Sequence, residues 1–147
     1  MYTNKNCAQF LYVKKADLVA KTITILPENK SFLKAEVKAA KAIQKHSMQI
    51  GGIQYNPKTQ EAYLMLGKAR YLDQRYVQAI DAFNQVYKLN IDNQIWEQSV
   101  IWKARCNIRL EQELVAVDLL KKLLKNKNNN SEVVSEANSI LSMAYLK

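Results

Sequence analysis

Three glycines and two prolines in 147 residues leave few places where this chain is compelled to turn. An all-β domain needs turn residues about every ten positions, so that scarcity argues against one. The single β-favouring stretch is KTITIL, Lys21 to Leu26, which reads as a helix end with Pro27 closing it. Cysteine is equally sparse: Cys7 and Cys106 lie far apart, with no CxxC or Cys/His cluster, which leaves no basis for a disulfide framework or a zinc site. There is one histidine, His46, between Lys45 and Ser47 and without an acid/base partner arrangement. P-loop, dinucleotide, HExxH and nucleophile-elbow signatures are missing. Glu111 and Glu113 stand two apart, on different helix faces, so they form no carboxylate pair. No enzymatic activity, cofactor or metal is expected. Long apolar runs are missing too: nothing approaches the roughly 18 residues of a membrane span, and MYTNKNCAQFLYVKK has no continuous apolar core of a signal peptide. As written, the chain is expected to be cytoplasmic.

What is present is 48% apolar residues at helical spacing, which points to an all-α domain. About seven helices can be drawn. The first spans roughly Cys7 to Ile25, and the second Ser31 to Gln49, with Ser31 as an N-cap candidate and Leu33, Val37, Ala40 and Ile43 as its apolar face. IGGIQYNP, Ile50 to Pro57, is a loop by composition. Helices near 60–72, 75–89, 94–109, 112–125 and 131–146 follow. Their short links predict antiparallel pairs.

The pairs repeat. Lys68-Ala69-Arg70 recurs 35 residues on as Lys103-Ala104-Arg105, and Ala79-Ile80-Asp81 recurs 37 residues on as Ala116-Val117-Asp118. The two-residue difference is assigned to the turn between helices. In Gln60 to Asn93, the residues Tyr63, Leu66, Gly67, Ala79 and Phe83 fall at the spacings of the tetratricopeptide signature, with Arg70 and Ile91 as departures. The segment resembles a tetratricopeptide repeat. Residues 94–130 resemble a degenerate copy in which Trp102 takes the place of the glycine and Leu120 that of the phenylalanine. Residues 131–147 supply the first helix of a partial or capping repeat, and 1–56 an N-terminal helical pair.

KAIQKHSM, Lys41 to Met48, followed by a glycine-containing loop and EAYLMLGKARYLDQRY, Glu61 to Tyr76, is similar to the tetratricopeptide region of the gliding-motility and type IX secretion lipoproteins of Bacteroidetes, the SprE/PorW type. That resemblance implies a non-enzymatic scaffold, exported to the periplasm and held at the outer membrane. This chain departs from the family in length and in lacking a lipobox before Cys7, so a fragment or a short paralogue is implied.

The resemblance also implies a short right-handed solenoid whose first helices line a concave binding face. The matching positions are Glu61, Leu64, Lys68 and Tyr71, then Trp96, Ser99, Lys103 and Cys106, then Glu136, Ser139 and Met143. Lys68 and Lys103 would be neighbours, able with Tyr71 and Trp96 to hold an acidic peptide bearing an apolar anchor. On the plainer reading, Tyr71 is core and the lysines are solvated. Chaperone-tail capture is not implied, since Leu64 and Lys68 depart from the carboxylate-clamp pattern. Gly67, with Ala79 and Phe83, is expected to let the paired helices approach closely.

Charge is lopsided. Of a net +9, residues 1–56 carry nine lysines against three acids. Lys34, Lys38, Lys41 and Lys45 align on one helix face. They suit either a solvated surface or an anionic partner, so an RNA-binding or anionic-surface-binding helical repeat stands as the alternative to a protein scaffold. No small-molecule substrate is expected.

Overall fold

The computed structural model describes residues 28–51, 53, 54, 56–89, 91–126 and 129–146. The chain divides into two compact units, Met1–Ser31 and Phe32–Lys147, and the second is described below. The helix expected over Cys7 to Ile25, together with Pro27 and Cys7, lies outside the described residues.

Six helices occur among the described residues: α1 (Glu28–His46), α2 (Pro57–Leu72), α3 (Tyr76–Leu89), α4 (Asn93–Arg109), α5 (Glu113–Leu124) and α6 (Ser131–Tyr145). The fold class is all-helical. Two minimal strands, β1 (Gln49–Ile50) and β2 (Ile53–Gln54), pair antiparallel where composition predicts only loop. Gly51, at φ 58°, makes the turn between them, in a conformation that costs an L-residue about 1 kcal/mol or more.

Local chemistry accounts for the helix starts. Asn56 caps α2 by accepting from the Lys58 amide at 3.0 Å, with Pro57 supplying the pre-set φ of a first helical residue. Asp92 caps α4 through the Gln94 and Ile95 amides, and Asn130 caps α6 through Glu132. Ser31 is not a cap: α1 begins three residues earlier, at Glu28.

The helix ends repeat in detail. Arg75 N–H donates to Arg70 O and Gln74 N–H to Tyr71 O; 37 residues on, Gln112 donates to Asn107 and Glu111 to Ile108. Each is a Schellman closure, with Gln74 (φ 61°) and Glu111 (φ 60°) in the left-handed position where glycine is usual. Both connections are three residues long, 73–75 and 110–112. The expectation that the two copies differ in length at this turn is therefore wrong, and the backbone at this turn repeats at 37.

Packing follows the same period. α2 packs on α3 and α4, α4 on α3, α5 and α6, and α5 on α6. Gly67 lies against the Phe83 ring: a Cβ there would be 2.6 Å from Cδ1 and Cζ and closer still to Cε1. Thirty-seven residues later, Ala104 is buried in one cluster with Ala116 and Leu120. Where the first pair uses no side chain opposite a ring, the second uses a methyl opposite a smaller leucine, a volume-conserving exchange. Trp102 does not stand at the glycine position. Ala104 does.

On α1 the buried residue is Ala39, packed with Leu66 and Ala82 and flanked by Ile43, whereas Leu33 and Val37 are about half exposed (51% and 52%) and Ala40 is exposed. The expected apolar face of α1 is thus displaced. Glu36 stands on the side of α1 that carries Ala39 and Ile43, and its carboxylate meets Arg70, 2.9 Å away, and Arg75.

Candidate partner-binding face

α2, α4 and α6 share one face of this unit, and the two-residue correction of the repeat decides which side chains it presents. At offset 37, Lys68 matches Arg105, Leu64 matches Ile101, Glu61 matches Gln98 and Tyr71 matches Ile108.

Lys68 Nζ donates to Gln98 Oε1 at 3.2 Å and lies 5.5 Å from the Trp102 ring centre. Arg105 covers the same ring at 4.7 Å. The indole meets Tyr71 edge-on, with centroids 5.2 Å apart, and Tyr71 meets Tyr76 similarly at 5.4 Å. Arg105 Nη2 is 2.6 Å from Glu136 Oε1 on α6, which ties the third first-helix to the second. Arg109, in the last turn of α4, is held above the ordinary arginine value, first by a hydrogen bond to the Tyr71 side chain. Burial pulls the Lys68 ammonium below the usual lysine value; Glu136 opposes that shift and Arg105 adds to it.

The remaining positions expected to line this face go elsewhere. Lys103 donates to Asn84 Oδ1 on α3 at 2.7 Å, and burial lowers its pKa. It is not the neighbour of Lys68. Trp96 tilts against Tyr87, with ring centres 6.0 Å apart. Ser99 is buried and its hydroxyl donates to the Trp96 carbonyl. Cys106 is fully buried, and desolvation pushes its thiol up to about 12. These residues sit where they do because a two-residue slip turns a helix by about 200°. On α2, Leu64 is core, Tyr71 is half-buried, and Glu61 is exposed beside a cleft of about 390 Å³ between α1 and α2 that Lys38, Lys58 and Met65 also line. On α6, Ser139 and Met143 are exposed.

Gln98, Trp102, Arg105 and Arg109 are the residues that sequence reading missed as members of this face. The signal that finds Gln98 and Arg105 is the 37-residue spacing of Ala79-Ile80-Asp81, carried back into the first helices in place of the local Lys-Ala-Arg match; Trp102 and Arg109 join through their contacts with Lys68 and Tyr71.

The lysine stripe is all solvent-facing: Lys34, Lys38, Lys41 and Lys45 are exposed on α1. His46 ends that helix, and its carbonyl accepts from Asn56 Nδ2 at 2.8 Å and from Thr59 Oγ1 at 3.2 Å, which anchors α1 to the start of α2. Gln60, fully buried, joins α2 to the α3–α4 connection by accepting from the Asp92 amide at 2.7 Å and donating to the Asp92 carbonyl. Among the described residues no helix is long and apolar enough to cross a membrane.

The arrangement is suited to anion recognition. Two cations flank one indole on a surface contributed by three helices, and the Glu136 carboxylate stands beside them. No family model matches this sequence, and the search of curated proteins returns no match.

Proposed function

We propose that this chain is a non-catalytic tetratricopeptide scaffold that binds a protein partner on the face shared by α2, α4 and α6. In this reading, antiparallel helix pairs stack as a short right-handed solenoid of about seven helices, and the chain serves a type IX secretion or gliding-motility machine on the periplasmic side of the outer membrane. The supporting observation is the Lys68, Trp102 and Arg105 group: cations held over an aromatic platform at corresponding positions of successive first helices. Such a group offers both charge and rigid contact area to an acidic segment.

The test is affinity capture from native cells followed by mass spectrometry. Lys68→Glu combined with Arg105→Glu should reduce recovery of the captured partner by about tenfold or more, while helical content and melting stay near wild type. Undiminished capture by a folded double variant would remove this face from the binding role.

A further inference from the structure

Glu136 occupies a particular place on the shared face. It comes from α6, contacts Arg105 at 2.6 Å, and is the acid whose charge acts on Lys68. The direct partner of Lys68 is a neutral amide, Gln98. One carboxylate thus serves two cations. Both side chains of the Arg105–Glu136 pair remain about a third exposed (31% and 36%), so the pair is open to exchange with an incoming anion and worth little by itself. Arg105 has a second contact besides Glu136, its guanidinium lying over the Trp102 ring at 4.7 Å.

We infer that Glu136 holds the place of a partner's carboxylate: an acidic peptide segment docks by displacing Glu136 from Arg105 and setting its own carboxylate between Arg105 and Lys68. This rests on the reading of the α2/α4/α6 face as a docking surface. A peptide fits better than a nucleic acid. The Trp102 ring is covered by Lys68 and Arg105 and edge-packed by Tyr71, which leaves it poorly placed to stack a base. The Glu136 carboxylate, 2.6 Å from Arg105, is already the kind of group this guanidinium pairs with here.

The probe is an acetylated, amidated hexaglutamate peptide, titrated by calorimetry at about 50 mM salt, where charge pairing is weakly screened. Hexaglutamine and a uridine dodecamer serve as comparisons. Glu136→Gln should tighten hexaglutamate binding by about threefold, the size expected of one exposed ion pair. In an Arg105→Gln background the same substitution should have a smaller effect, since only the action of Glu136 on Lys68 is left to remove. Equal gains in both backgrounds would mean a general charge effect and overturn the exchange, as would no gain in either or no binding of hexaglutamate by Glu136→Gln. Tighter binding of the uridine dodecamer with the same dependence on Arg105 would overturn the choice of a peptide. If Lys68→Glu with Arg105→Glu abolishes partner capture while Glu136→Gln leaves hexaglutamate affinity unchanged, the exchange fails and the docking face stands. If capture also survives, the docking face itself fails.

Discussion

Gly67 sits in the middle of α2, where a glycine costs about 1 kcal/mol relative to alanine in helix propensity. The Phe83 ring fills the space a Cβ would take, so the local cost is offset by packing across the α2–α3 pair. Gly67→Ala should therefore destabilise, by about 1–3 kcal/mol, even though it improves propensity. Urea midpoints would show it, and the loss should shrink in a Phe83→Leu background, because alanine opposite leucine is the combination Ala104 and Leu120 already use. An unchanged midpoint for Gly67→Ala would refute the packing account. Gly67 was legible because a rare residue in a periodic helix demands a reason. Arg105 was not, because nothing in an arginine's own neighbourhood says which way its helix is turned.

Among the elements, α1 is held by charge as much as by apolar contact. Glu36 meets Arg70 and Arg75, Arg75 also meets Asp73 at 2.7 Å, and the buried apolar contribution is Ala39 with Ile43. The Arg75 hydrogen bond, reinforced by Arg70 and opposed by burial, holds the Glu36 carboxyl below the usual carboxylate range. A depressed folded-state pKa stabilises fully above the unfolded value of about 4.3, and that contribution is lost as pH falls through the folded value. Glu36→Gln should thus cost about 1 kcal/mol at neutral pH, less than a buried hydrogen bond to a charged group because solvent screens this pair. The deficit should close on acidification below the ordinary carboxylate range. Denaturant melts of wild type and variant from pH 7 to pH 2.5 would check this, and a deficit independent of pH would contradict it. Periodicity placed the lysines of α1 on an exposed face correctly. It misplaced the apolar face, since a glutamate on the side of α1 that meets α2 looks like a surface residue until its two arginines, distant in sequence, are brought to it.

For the molecule as a whole, the +9 charge is the main argument for the alternative reading, an RNA-binding or anionic-surface-binding repeat. The lysines of α1 stand on a solvated face without aromatic side chains interleaved among them, the arrangement expected of non-specific phosphate attraction. Affinity for a uridine dodecamer or for anionic vesicles should accordingly fall by about tenfold or more between roughly 0.05 and 0.3 M salt. Binding that persists at the higher salt, measured by fluorescence anisotropy or vesicle co-sedimentation, would favour the alternative over the protein scaffold.

Local sequence was enough to define the all-helical class and, to within about three residues, the bounds of α2 to α6, because caps, turn lengths and apolar spacing act over a few neighbouring residues. It also marked Gly67, Ala79 and Phe83 as a packing set. Which side chains share a face emerged only once the helices were packed. Lys-Ala-Arg recurs at 35 residues in the sequence, yet the Schellman turns and the buried pair Ala79 and Ala116 recur at 37. The fold follows packing rather than residue identity, since a buried position must match its neighbours in volume, and at 37 the buried Gly67 and Ala69 correspond to the buried Ala104 and Cys106. That two-residue difference turns α4 about 200° and exchanges Lys103 for Arg105 beside Lys68.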